Sequence, residues 1–168
     1  MDVLGPFSPS KGFEYALVVV DLFSSLVRLV PMKKKYTTRD IVDALISKIY
    51  CYHGIPQEII SDRGPQFVSN FFGELHEAFD VQLMPSTAFH QQTIGSAERT
   101  IKTITRTLPA YVNAKQTDWV DHLWKAEYAQ NNAPSKAYRT SPAEICQGQI
   151  VSLKDYKPTN STAVDQYL

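Results

Sequence analysis

Leu17-Val18-Val19-Val20 is an unbroken leucine and β-branched run that stops at Asp21, and after the short Leu22 to Ser25 connection a second apolar stretch runs from Leu26 to Pro31. Residues of this kind fit a pleated, buried surface, so the two stretches predict adjacent strands joined as a hairpin. Asp2 to Leu4 reads as the remnant of a strand before them. Gly5 to Gly12 supplies Pro6, Pro9 and two serines as turn material.

From Thr37 the period changes. Ile41, Val42, Leu45, Ile46, Ile49 and Tyr50 recur at helical spacing, Thr37 or Thr38 can cap the start, and Gly54-Ile55-Pro56 ends the run. Glu58 to Ser61 predicts a short strand closed by Asp62-Arg63-Gly64-Pro65, Asn70 to Phe79 a helix, and Val81 to Met84 a further strand. After a polar loop through Gly95, Ala97, Ile101, Ile104 and Leu108 form a helical stripe that Pro109 must end or kink. Asp118 to Ala133 predicts another helix, and Ser141-Pro142-Ala143-Glu144 is a capping box that opens a last one. Strands first, then helices alternating with strands, predict an α/β or α+β domain on one mixed sheet. At 168 residues and 43% hydrophobic content, one core is the expectation, over residues 1–150, with 151–168 a polar tail or linker.

Lysine plus arginine equal aspartate plus glutamate at 17 each, so the whole molecule offers nucleic acid no strong global attraction, and any DNA binding must come from local clusters. Cys51 and Cys146 are too few for a disulfide framework and lack zinc-site spacing. The longest apolar run, Ala16 to Val20, is far short of a membrane span, and Asp2 and Gly5-Pro6 interrupt any signal-peptide pattern. A soluble, intracellular protein is expected.

The carboxylates carry the chemistry. Asp62 closes a short apolar strand and Glu98 is expected in the first turn of a helix. Taken singly, one is a turn residue and the other a favourable charge at the positive end of a helix. Their arrangement says more, because 35 residues separate them and a third carboxylate, Asp2, sits on the first strand. Asp21, at the end of the second strand, is the rival for the first acid, with a hairpin-turn role as the plain alternative. His53, His76, His90 and His122 show no mutual metal-ligand spacing; His90 reads as a loop residue near the site. Lys33-Lys34-Lys35 reads as a solvated strand end that can touch phosphate. Arg99, Lys102 and Arg106 lie opposite the apolar stripe of their helix with Glu98 at the border, a basic face beside an acid.

The run Ile60-Ser61-Asp62-Arg63-Gly64-Pro65-Gln66-Phe67, the spacing to Glu98, and Ser86-Thr87-Ala88-Phe89-His90 leading to Gly95 and Glu98-Arg99 resemble the integrase core of gypsy-type long-terminal-repeat retrotransposons. Gly5-Pro6 before Leu17 to Ser24, then Trp119, His122-Leu123, Asn131-Asn132 and Ser141 to Glu144, fit the same family, so the resemblance covers roughly Asp2 to Gln149. It implies an RNase H-like five-stranded mixed sheet flanked by helices, and an acidic triad of Asp2, Asp62 and Glu98 holding two Mg²⁺ or Mn²⁺ ions, with Asp2 bridging them. The implied reaction is 3′-end processing and strand transfer of element DNA into target DNA, in the nucleus and within a homo-oligomer. Two ions about 3.5–4 Å apart clamp the attacking and leaving oxygens of such a displacement. Gln91 stands where the family has proline, and Ile94 where it has a small acidic or polar residue. In the family the first strand extends before its acid, so a truncated first strand is expected here; the family's amino-terminal zinc-binding and carboxy-terminal DNA-binding domains are absent from the sequence. Two other readings stay open: an integrase-derived domain that binds DNA or protein without catalysis, and an RNase H-like nuclease.

Overall fold

A computed structural model describes residues 1–61, 79–85, 91–135 and 139–148, together with Gly73 and Glu77. Strands β1 (Asp2–Leu4), β2 (Phe13–Val20) and β3 (Val27–Lys33) form an antiparallel sheet in that order. Asp2 pairs with Val18 and Val20 with Val27. The hairpin turn is built by side chains: Asp21 Oδ2 accepts the Ser24 amide at 2.8 Å and the Ser24 hydroxyl at 2.5 Å. Ser24 Oγ in turn accepts the Leu26 amide at 3.0 Å. Gly5, at φ 138°, lies against β2, where a Cβ would meet the Tyr15 ring at 2.6 Å, so only glycine fits there.

Alternation along the strands sorts the core into two faces. Tyr15, Leu17 and Val19 of β2, with Met1 and Val3, join one cluster. Ala16, Val18 and Val20, with Leu4, join the other. The first face is covered by α1 (Thr38–Leu45), which continues as a π-helical turn (Ile46–Tyr50) and α2 (Cys51–His53). Thr37 and Asp40 close a reciprocal capping box at its start, with the Thr37 amide donating to Asp40 Oδ2 at 2.7 Å. These bonds hold the Asp40 carboxyl below its ordinary range. Burial among Ile41, Leu45 and Ile49 pushes the Tyr50 phenol up to about 12. Gly54, at φ 79°, ends the helix. The strands β4 (Glu58–Ser61) and β5 (Gln82–Pro85) then pair in parallel, with Ile59 and Val81 buried in the same first cluster.

The second face is covered by α3 (Gln91–Thr107), a 3₁₀ turn at Leu108–Ala110 that contains Pro109, and α4 (Trp119–Asn132). Ile104, Leu108, Trp119, Leu123 and Ala126 pack on Val18, Val27 and Leu29. The Trp119 indole N–H donates to the Ser8 carbonyl at 2.8 Å. Helix α5 (Pro142–Gln147) starts as expected, with Ser141 Oγ accepting the Glu144 amide, although the Glu144 carboxylate takes the Thr140 hydroxyl instead of completing the box.

Two expectations are corrected. Instead of one five-stranded sheet, the described residues form a three-stranded and a two-stranded sheet. Residues 2–4 of β1 are paired with β2, and the Met1 amino group donates to the Ile60 carbonyl of β4 at 2.7 Å, but no β1–β4 ladder forms among the described residues. The helix expected after Gly95 instead begins at Gln91. An interior glycine costs only about 1 kcal/mol, which a long helix anchored by Ile104 and followed by Leu108 in the core tolerates. The helix expected over Asn70 to Phe79 lies largely outside the described residues, as does the tail after Val151.

Candidate metal centre and nucleic-acid face

Asp2 lies two positions before Leu4 on β1, so alternation puts it on the sheet face that α3 and α4 cover. It is half-buried, and its Oδ1 accepts the Val3 amide at 2.7 Å. Asp62 follows Ser61, the last residue of β4, and lies outside the described residues. Its approach is described: the Met1–Ile60 bond sets the start of β1 beside the end of β4, and Ile59 of β4 belongs to the first cluster.

Glu98 is the eighth residue of α3 counting from Gln91, which is the third turn and not the expected first. A helix dipole acts within its first turn, so charge–dipole attraction does not account for this carboxylate. Glu98 is exposed and has no hydrogen-bond or ion-pair partner among the described residues. Ile101, one turn on, packs against the second cluster, which leaves Glu98 at the border of the packed face. Two of the three acids thus sit on the same side of the sheet, one on a strand and one on the helix over it. Carboxylate oxygens are the donors that magnesium prefers, and the pair fits such an ion chemically. Among the described residues alone, no three His, Cys, Asp or Glu side chains gather into a metal set.

Arg99, Lys102 and Arg106 are exposed on the opposite side of α3 from buried Ile104, and none is in an ion pair among the described residues. The structure gives Asp21 the hairpin-turn role through Ser24. Within the lysine run, Lys34 reaches Glu14 at 3.5 Å. His122 pairs with Asp118 at 3.3 Å, His53 accepts from Arg28, and His76 and His90 lie outside the described residues. Sequence reasoning named Asn131 only within the family resemblance, without its role, and missed Glu127. Asn131 Oδ1 accepts the Val27 amide at 2.7 Å and its Nδ2 donates to the Val27 carbonyl at 2.8 Å, while Glu127 Oε2 accepts the Leu29 amide at 2.8 Å. Spaced one turn apart on α4, they satisfy alternate groups of the β3 edge. A polar pair at i, i+4 on an otherwise packed helix is the signal that was available.

The family model for the integrase core domain matches residues 1–91. The chain belongs to the integrase core domain family. The Tf2-3 and Tf2-4 transposon polyproteins of Schizosaccharomyces pombe are each 30% identical over 145 residues, covering 86% of this chain. The chain spans 11% of the length of those polyproteins. Among solved structures, the HTLV-2 integrase catalytic core domain in complex with magnesium (trimeric form) is 22% identical with a TM-score of 0.68, covering 87% of this chain and 94% of that one. The catalytic core domain of BIV integrase is 18% identical with a TM-score of 0.65, covering 88% and 92%. A simian T-cell lymphotropic virus intasome in complex with PP2A regulatory subunit B56 gamma gives 19% and 0.70, covering 96% and 59%. The fold is therefore that of retroviral integrase catalytic cores, RNase H-like, and the resemblance read from the sequence holds. This is an integrase core domain, in a superfamily of polynucleotidyl transferases and nucleases.

Proposed function

We propose that this integrase core, over residues 1–150, trims and joins retroelement DNA ends to target DNA in the nucleus, using two Mg²⁺ or Mn²⁺ ions held by Asp2, Asp62 and Glu98. The observation that carries the reading is Glu98, an exposed carboxylate in the third turn of α3, with no structural partner among the described residues and on the same sheet face as Asp2. When bound, the ions supply Lewis acidity to the attacking and leaving oxygens of the phosphodiester. The chain's own contribution is placement. β1 and α3 carry Asp2 and Glu98 on packed elements, β4 ends one residue before Asp62, and Arg99, Lys102 and Arg106 offer phosphate contacts along the helix that carries Glu98. No side chain is needed as nucleophile, since water attacks when an end is trimmed and the new 3′-hydroxyl attacks when it is joined. Self-association is part of the proposal, supported by the trimeric and dimeric forms named for HTLV-2 integrase.

Thermal unfolding with added Mg²⁺ or Mn²⁺ tests the metal set. A tenfold excess over Kd should add about 1.4 kcal/mol of stability to the wild type. Asp62→Asn and Glu98→Gln should blunt that gain, and equal gains in all three proteins would remove the metal assignment.

A further inference from the structure

Arg28, on the edge strand β3, is held from three sides. Its Nη1 pairs with Glu127 Oε1 of α4 at 2.9 Å, its Nε donates to His53 Nε2 of α2 at 3.2 Å, and its guanidinium lies 5.4 Å from the centre of the Tyr52 ring. α4 covers the second face of the sheet and the helical run ending in α2 covers the first, so Arg28 joins the two layers around the sheet edge. The bond to His53 has a strict chemical condition. A guanidinium only donates, so Nε2 must keep its lone pair, which means a neutral imidazole with its proton on Nδ1. Protonated His53 would set an N–H against an N–H and a cation against a cation.

We infer that Arg28, His53 and Glu127 form a pH-sensitive clasp that fastens the end of the α1–α2 run to the β3 edge while His53 is neutral and releases it when His53 takes up a proton. The charged groups around the imidazole are Arg28 from β3, which opposes protonation, and Glu127 from α4 and Asp21 from the hairpin turn, which favour it. Partial burial and Arg28 outweigh the two acids and hold the imidazole below its ordinary value of 6.5. The sign follows: the folded state disfavours the proton, so the clasp's stabilisation is complete above the unfolded value and is lost as pH falls through the folded one. Glu127 keeps its bond to the Leu29 amide in both states, so α4 stays on the sheet while α2 and the Gly54 to Gln57 connection loosen.

Two measurements on the whole chain test this. Residue-resolved NMR titration should find His53 titrating below 6.5 in the wild type and higher in Arg28→Gln. Amide exchange at 51–57, corrected for the intrinsic pH dependence, should rise about fivefold between about pH 7.5 and 5.5, the factor set by one lost hydrogen bond. In His53→Gln, whose amide oxygen can still accept from Arg28, that rise should vanish. The clasp is overturned if His53 titrates at or above 6.5, if Arg28→Gln leaves its titration unchanged, or if the exchange response persists in His53→Gln. The last comparison stands even if Arg28→Gln does not fold.

Discussion

α3 and α4 lie on the same face of the sheet and contribute to the same apolar cluster, Ile104 from one and Trp119, Leu123 and Ala126 from the other, yet they use their polar side chains in opposite ways. On α4, Glu127 and Asn131 turn toward β3 and satisfy backbone groups that an edge strand would otherwise leave open. On α3, Glu98, Arg99, Lys102 and Arg106 stand in solvent with no ion pair among the described residues. A polar residue matched to the protein's own backbone is there for the fold. One left unmatched on a firmly packed helix is available for something outside it. The set with no ion pair among the described residues is on α3, the helix that carries an acid of the proposed metal centre.

The largest effect that would break this contrast is at Asn131. Asn131→Leu removes both partners of Val27, and leaving two buried backbone groups unpaired should cost about 2–4 kcal/mol in urea unfolding. A cost near zero would mean that α4 does not serve as the edge partner. α1 is an intermediate case, since Thr37 and Asp40 are matched to the protein but in solvent. Asp40→Ala should cost about 0.5 kcal/mol at neutral pH, as for an exposed acid in the first helical turn. Because the Asp40 carboxyl is held below its ordinary 3.8, that difference should be present above this value and close as pH falls through the folded one. A gap that is unchanged at low pH would detach the carboxylate from the cap. The smallest stability effect belongs to α3: Lys102→Ala with Arg106→Ala should stay within about 0.5 kcal/mol of the wild type. The same pair should flatten the slope of log DNA affinity against log salt by about two if each side chain neutralises one phosphate. A salt series identical to the wild type would make the basic face of α3 only a solvated surface.

Much of the fold was legible in the chain because local rules sufficed. Leu17 to Val20 and the following apolar stretch could only be strands, Thr37 and Ser141 cap the helices they were expected to cap, and Pro109 falls in the 3₁₀ turn that follows α3. The start of α3 was misread because Gly95 and the glutamines before it look like loop, while packing further along the helix outweighs one glycine. The role of Asp21 stayed open because an aspartate after a strand suits a turn and a metal site equally; its bonds to Ser24 give it the turn.

The sequence by itself determined the element types, the acids and their spacing, and with them the integrase core family, since these depend on residue identity and separation along the chain. Only the tertiary structure decided that Leu4 of β1 and Ile104 of α3 join one cluster, that α4 covers the β3 edge through Glu127 and Asn131, and that Arg28 meets His53 25 residues away. Each of these is a meeting of groups far apart in sequence. Which groups meet is set by how strand alternation and helix packing orient whole elements against one another, and no local pattern encodes that orientation.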